Sequence, residues 1–478
     1  MSVGKSNPRR FWPVFLIVVA AVGMSNLDLF IVNVALPSIG RSIGDSSLAG
    51  LSWVLNGYAI AFAALLIVAG RLGDRTGQRG LFLGGATLFT LASAVCATAP
   101  NLAVLIAARA VQATGAAALI PTSLALLVAA APPERRAGAV RAWAAVGGLS
   151  AALGPVIGGL LVQLDWRWVF LVNLPIGAVT VLCGLRILAR TPVRAEPLPD
   201  VLGAPLLAVA VGALSAALVQ APTWGWASTR TLVLLGLAAM AFAAFALRSR
   251  RHAHPLIEFG LLRTPAFGAS SAATFLFSVG FATMLLSNVL WLQDIWHYGP
   301  VLTGLAIAPG PAMVPLVALG SGRLIRRFGP GPVATVGNLV FGAGLVLRAL
   351  VVHSGPNYLV DFLPSMLLTG TGVGLTLPTL LSAATTALPA PRVATGSAIL
   401  NTGRQVASAL GIAVLVTLLG THAVGDAAPD VYRRAWLVSA AIMVVAAIAS
   451  VAVRRPALAV SDRGSEHIDG PDNELVSA

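Results

Sequence analysis

Uncharged apolar runs of about 20 residues recur from one end of this chain to the other, each long enough to cross a bilayer as an α-helix. That repetition narrows the fold before any single residue is considered. A backbone in hydrocarbon must satisfy its own hydrogen bonds, and a helix does so within one segment. The runs fall near residues 12–36, 50–70, 80–99, 102–130, 138–163 and 167–189, then 201–219 and 230–247, then 266–293, 300–321, 332–351, 358–386, 393–420 and 434–453. The expected fold is an all-α polytopic membrane protein with 14 transmembrane helices, in keeping with a composition 57% hydrophobic and 10% charged.

The basic residues test this placement, because an error of one helix would scramble the two sides of the membrane. With the N-terminus inside, Arg41, Arg167, Arg230, Arg433 and Arg434 fall outside, Arg109, Arg348 and Arg404 fall within runs, and the rest of the 31 Lys and Arg fall on the cytoplasmic side. Both termini are therefore expected to be cytoplasmic, in a bacterial inner membrane. The net charge of +14 does not point to nucleic acid, since the arginines are scattered between apolar runs rather than gathered on a domain. Lys5, Arg9 and Arg10 precede the first run, but that run continues to Leu36 without a small-x-small cleavage site, so it reads as a retained span rather than a signal peptide. Cys96 and Cys183 lie within apolar runs and have no disulfide or metal spacing.

Between the second and third runs stands GRLGDRTGQR, Gly70 to Arg79, a short Gly-broken, arginine-rich turn. Gly permits tight reversal, and Asp74 can accept hydrogen bonds from free amides at the start of the next helix. A partial copy follows the second run of the last six: Gly322, Arg323, Leu324, Arg327 and Gly329 match Gly70, Arg71, Leu72, Arg75 and Gly77, with Arg326 in place of Asp74. The chain thus reads as two related six-helix bundles, residues 1–190 and 264–455. Two inserted helices occupy 191–263, and a polar tail, expected to be disordered, occupies 456–478.

Of 17 acidic residues, Asp28 is the one well inside an apolar run. An ionisable group at that depth costs roughly 2.5 to 3.5 kcal/mol on insertion scales, so its default reading is a functional group facing the bundle interior. The alternative is a structural carboxylate satisfied by neighbours such as Asn26 or Ser25. Asp28 precedes Pro37 at the outer end of span one, and Arg109 follows Asn101 at the outer start of span four; the helical rise puts both roughly 12 to 14 Å in. Opposite charges at equal depth lower each other's cost, and Gln112 lies one turn deeper on the Arg109 face. This is either a proton site or a purely structural pair.

Around these residues the chain resembles the major facilitator superfamily, and within it the 14-span drug:H+ antiporter family, over nearly its whole length. The Gly70 to Arg79 turn is similar to the superfamily's signature loop. LDLFIVNVALP (Leu27 to Pro37), RAVQATGAAA (Arg109 to Ala118) and GPVIGG (Gly154 to Gly159) are similar to the family's first-, fourth- and fifth-span motifs, and WRWVFLVNLPIG (Trp166 to Gly177) and NTGRQVASALG (Asn401 to Gly411) also look like it. The resemblance implies that Asp28 and Arg109, with Gln112 beside them, take part in proton coupling. It also implies that Gly70, Asp74, Arg75 and Gly77, with Gly154, Pro155, Gly158 and Gly159, belong to the conformational switch. Phe30 stands where Thr is usual and Ala113 where Gly is usual, which bears on substrate range. Without the family, Pro155 and its glycines read equally as a bent, closely packed helix.

Phe30, Asn33, Tyr58, Trp143, Asn401, Arg404 and Gln405 are the candidate substrate contacts. Arg404 would bind an anionic or dipolar group or be satisfied by helix-end carbonyls. Trp53, Tyr58, Trp143 and Trp291 would line a pocket or sit at the membrane interface. Asp294 and His297 would pass protons at the outer end or form a solvated rim. No GxxxxGK[ST] loop can be drawn, since Lys5 is the sole lysine, and no HExxH, GxSxG or Cys-rich metal motif is apparent. The expectation is a secondary active transporter, not an enzyme, monomeric, with no cofactor or metal, its partners a small-molecule drug or antibiotic, protons and lipid. With one deep acid, a monovalent cationic or neutral amphiphile is the easier substrate. The competing readings are a narrow exporter of an endogenous metabolite or self-made antibiotic, a receptor or scaffold, and an integral-membrane enzyme.

Overall fold

A computed structural model describes residues 8–44, 47–189, 200–388, 393–420 and 428–453. The first bundle comprises α1 (Pro8–Ile43), α2 (Leu48–Thr76), α3 (Gln78–Ala97), α4 (Leu102–Ala130), α5 (Pro133–Leu164) and α6 (Trp168–Ile187). Two inserted helices, α7 (Gly203–Trp224) and α8 (Thr229–Arg251), follow. The second bundle comprises α9 (Pro265–Ile295), α10 (Pro300–Phe328), α11 (Pro330–Val351), α12 (Tyr358–Thr386), α13 (Val393–Leu419) and α14 (Ala428–Val451). Thirteen of these helices are long and apolar enough to span a bilayer over their described residues; in α5 the described apolar stretch is Leu153–Leu164.

The ends follow from local chemistry. Asn101 and Ser228 cap α4 and α8 by accepting the Val104 and Thr231 amides, and Pro265, Pro300 and Pro330 open their helices where no amide donor is needed. The arginine-rich turn is tighter than its composition suggests. α2 runs on to Thr76 and α3 begins at Gln78, leaving Gly77 alone between them at φ +99°, its amide bonded to Gly73 O at 3.0 Å. Gly329 does the same between α10 and α11, at φ +93° with its amide on Ile325 O at 2.9 Å. The repeat seen in sequence is thus a repeat of backbone geometry, which only Gly adopts without strain.

The end of the molecule bearing Gly77 and Gly329 is called here the turn end, and the opposite one the far end. At the far end one apolar core runs through both bundles, from Val34 and Leu36 of α1 to Trp291 of α9 and Trp436 of α14. Toward the turn end each bundle also has a core of its own, around Phe82, Phe89 and Leu119 in the first and Ala334 and Leu380 in the second. A third core joins α2 to α13 along one side, with α7 and the segment after α8 packed over it. Thr417 of α13 donates to Leu218 O of α7 at 2.6 Å, which ties the insert to the second bundle, and within the insert Arg248 pairs at 2.6 Å with the buried Asp200.

Candidate functional site

Close helix approach sets the site. α3 and α4 meet at glycines: a Cβ on Gly115 would lie 2.6 Å from Phe89 N, and one on Gly85 2.8 Å from Gly115 O. Gly177 of α6 has no room for a Cβ beside Thr90 of α3, and one turn earlier on α6 stands Asn173. These contacts bring polar side chains from α1, α3, α4 and α6 to one point inside the first bundle.

The point is Asp28, 1% exposed. Its Oδ2 accepts from Arg109 Nη1 at 2.5 Å, and its Oδ1 accepts from Gln112 Nε2 and Asn173 Nδ2, each at 3.0 Å. Arg109 Nη1 also donates to Gln112 Oε1 at 2.6 Å, and Gln112 Nε2 donates to Ser93 Oγ at 2.8 Å. The Arg109 guanidinium, fully buried, lies 4.2 Å from the Tyr58 ring centroid and 5.7 Å from that of Phe170. Removing two charges from water costs several kcal/mol per ion, offset here by one short ion pair, amide donors and aromatic faces. The geometry therefore joins Asp28, Arg109 and Gln112, and adds Ser93 and Asn173. Those two were missed because a single Ser or Asn in an apolar run carries little signal; Asn173 stands within the WRWVFLVNLPIG stretch but was given no role.

The same helix α1 reaches the far-end seal. A Cβ on Gly154 would collide with Phe30, and one on Gly158 would lie 3.1 Å from Ile31 Cα, so α5 rides directly on α1. On its other face α5 meets α10 reciprocally: Gly159 has no room for a Cβ against Pro300 O, nor Gly304 against Pro155 O. Gln293 Nε2 of α9 donates to Val34 O of α1 at 3.1 Å. All four α5 positions singled out in sequence lie in this seam.

Other candidates separate. Tyr58 is wholly buried beneath Arg109, and Trp291 sits in an aromatic cluster with Trp436 and Tyr432, at 5.1 and 5.3 Å between centroids, so neither faces open space. Asn33 is bonded to its own helix through Leu29 O, and Trp143 Nε1 donates to Ser123 Oγ at 3.0 Å. Asn401, Arg404 and Gln405 are half-buried on α13. Gly70 packs 3.6 Å from Pro121, measured from its would-be Cβ, Arg75 is exposed, and Arg71 pairs with Glu258 at 3.7 Å. The Asp74 side chain and the tail lie outside the described residues.

A second buried cation passed unremarked in sequence beyond its place within a run. Arg348 of α11 is fully buried; Nε and Nη2 donate to Ser365 Oγ at 2.9 and 2.8 Å, Nη1 donates to Asn288 Oδ1, and its guanidinium lies 4.3 Å from the Phe362 ring centroid. Among the described residues no three His, Cys, Asp or Glu side chains gather as a metal site.

The family model described as Major Facilitator Superfamily matches residues 18–412 and 271–471. The tetracenomycin C resistance and export protein of Streptomyces glaucescens is 36% identical over 89% of this chain and 79% of its own length. The multidrug resistance protein Stp of Mycobacterium tuberculosis is 37% identical over 85% and 75%, and the methylenomycin A resistance protein of Streptomyces coelicolor 35% over 84% of each. Among solved structures, a peptide transporter POT in complex with sulfate superposes with a TM-score of 0.68 at 16% identity, covering 95% of both chains. At that identity the likeness concerns the fold alone.

Proposed function

The chain belongs to the major facilitator superfamily, a family of transporters rather than enzymes, and we propose that it exports amphipathic drugs or antibiotics in exchange for protons. The observation that carries this reading is the buried Asp28, the one carboxylate in the first bundle's interior among the described residues, built into the helix that also forms the far-end seal. Export of drugs is supported by the resistance proteins to which the chain is similar.

The arginine distribution supports a turn end and both termini on the cytoplasmic side of a bacterial inner membrane. In this reading the sealed far end is the outer one. Protonation of Asp28 removes the charge that holds Arg109, Gln112 and Asn173 around α1. Two and three residues along, Phe30 and Ile31 carry any shift of α1 to Gly154 and Gly158, and α5 carries it to Pro300 and Gly304. The bundles then rock about a central cavity, with the Gly70 to Gly77 turn as part of the switch and a single chain as the transporting unit. No cofactor is required. One proton moving down 100 mV releases about 2.3 kcal/mol, enough to concentrate a neutral compound about 50-fold.

The test is proton release from inverted vesicles with a preset pH gradient on adding a panel of drugs. Wild type collapses the gradient and Asp28→Asn, folded and inserted, does not. Equal responses would move the coupling proton elsewhere. A second reading, export of a single compound, is favoured by relatives named for one antibiotic each, tetracenomycin C and methylenomycin A. A response to one member of the panel alone would select it.

A further inference from the structure

Resting on that export reading, we infer that the drug site between the bundles selects for negative charge or strong hydrogen-bond acceptors through Arg404, and disfavours lipophilic cations. Along α13, Asn401, Arg404, Gln405 and Ser408 are half-buried and form one stripe at helical spacing, while Leu400, Thr402, Val406, Ala407 and Ala409 between them are buried. Thr402 donates to Ala63 O of α2, so the buried face is the one meeting the first bundle's seam. A stripe of Asn, Arg, Gln and Ser at mid-membrane belongs against water rather than lipid, which turns it toward the space between the bundles.

In that stripe Arg404 is under-committed. Its hydrogen bond, Nη1 to Asn401 Oδ1, is 3.5 Å, at the long limit, and no carboxylate among the described residues lies within ion-pair distance of it. None of its nitrogens is among the sealed, unsatisfied atoms, so the guanidinium keeps access to a ligand. Meanwhile the one deep carboxylate is closed to a drug: Asp28 is 1% exposed and already accepts from three side chains. The other acids with described side chains sit at helix ends, Asp165, Asp294, Asp361 and Asp430 at the far end and Asp200 and Glu258 at the turn end. Among the described side chains, a cation beside Arg404 therefore meets a fixed positive charge and no available anion, whereas a carboxylate, enolate or phenolate meets a planar fork of donors. Exposed Arg75 and Arg323 at the turn end add a positive rim that draws anions inward. This differs from the cationic or neutral preference expected on sequence, because a deep acid in sequence proves to be a sealed one.

The experiment uses the full chain in lipid nanodiscs and one amphipathic fluorophore carrying, at the same position, a carboxylate, a carboxamide or a trimethylammonium group. Wild type is expected to bind the carboxylate form about 10-fold or more above the ammonium form, the scale of a charge-assisted hydrogen bond. Arg404→Gln removes about 10-fold of the carboxylate affinity and leaves the carboxamide within about twofold. Unchanged carboxylate affinity in Arg404→Gln, or an ammonium form ranked first by wild type, overturns the inference. If Arg404→Gln binds none of the three, Arg404→Lys decides: a kept carboxylate preference supports the inference and a lost one overturns it. Flux into inverted vesicles answers separately for export. Gradient-driven accumulation without charge preference overturns the charge inference alone, and carboxylate-selective binding without any gradient-driven flux overturns antiport and leaves the site standing.

Discussion

Among the described residues each bundle buries one arginine completely, and the two are neutralised in opposite ways. Arg109 in the first bundle meets Asp28 at 2.5 Å. Arg348 in the second meets Asn288, Ser365 and the face of Phe362, with no carboxylate within ion-pair distance among the described residues. The helices compare as well: Asp28 lies on α1 and Asn288 on α9, the first helix of each bundle. An amide cannot take up a proton in this range and a carboxylate can. A permanent cation held by dipoles and rings is a fixture, whereas a cation held by a removable charge can act as a switch, and among the described residues only the first bundle buries such a pair.

Cutting the two arginines in parallel tests this most severely. Arg109→Met leaves Asp28 buried without its counterion, a loss of about 3 to 5 kcal/mol, and ends drug-triggered gradient collapse. Arg348→Met strands only neutral partners, costs about 1 to 3 kcal/mol and keeps coupling. Unfolding in detergent and vesicle proton release read both effects. If the two variants lose coupling alike, the distinction between switch and fixture is wrong.

The seal joining the bundles gives the next effect. Gly304→Leu puts a side chain into Pro155 O, at a cost of about 1 to 3 kcal/mol that falls on the sealed state alone. The far ends should then part, with the open population rising about 5- to 150-fold by spin-label distances and export falling accordingly. An unchanged distance distribution would mean that the contact has slack.

Asn288→Asp makes the second bundle resemble the first. Arg348 gains a counterion, and at neutral pH the chain should be stabilised by about 1 to 2 kcal/mol in thermal unfolding. Combined with Asp28→Asn it should not restore proton release, since α9 does not ride on Gly154 and Gly158 as α1 does. Restored coupling would show that any buried carboxylate serves. The smallest effect belongs to Ser93→Ala, which removes one acceptor from Gln112 for about 1 kcal/mol and leaves export within a few-fold.

Much of the first bundle's site was legible because helices crossing a slab measure depth by residue number. Asp28 and Arg109 were matched by their distance from Pro37 and Asn101, and the structure brings them into contact. GPVIGG was legible as close packing, though not as packing on two different neighbours, α1 and α10. Tyr58 and Trp291 were misleading: an aromatic ring in an apolar run can face a drug, lipid or a guanidinium, and composition does not tell which. Arg348 was counted but not singled out, because Asn288 and Ser365 lie on other helices and look like ordinary polar residues in apolar runs.

Sequence by itself determined the helices, their number, the duplicated Gly turn and the level of each deep charge, since hydrocarbon thickness and helical rise leave those little freedom. The rotation of each helix about its axis was decided only by tertiary packing, where single glycines set which faces touch. Rotation settled the matters on which the proposed function depends: Asp28 turned inward to a sealed network, and Arg404 left half-buried and Arg348 wholly buried with no acid beside either among the described residues.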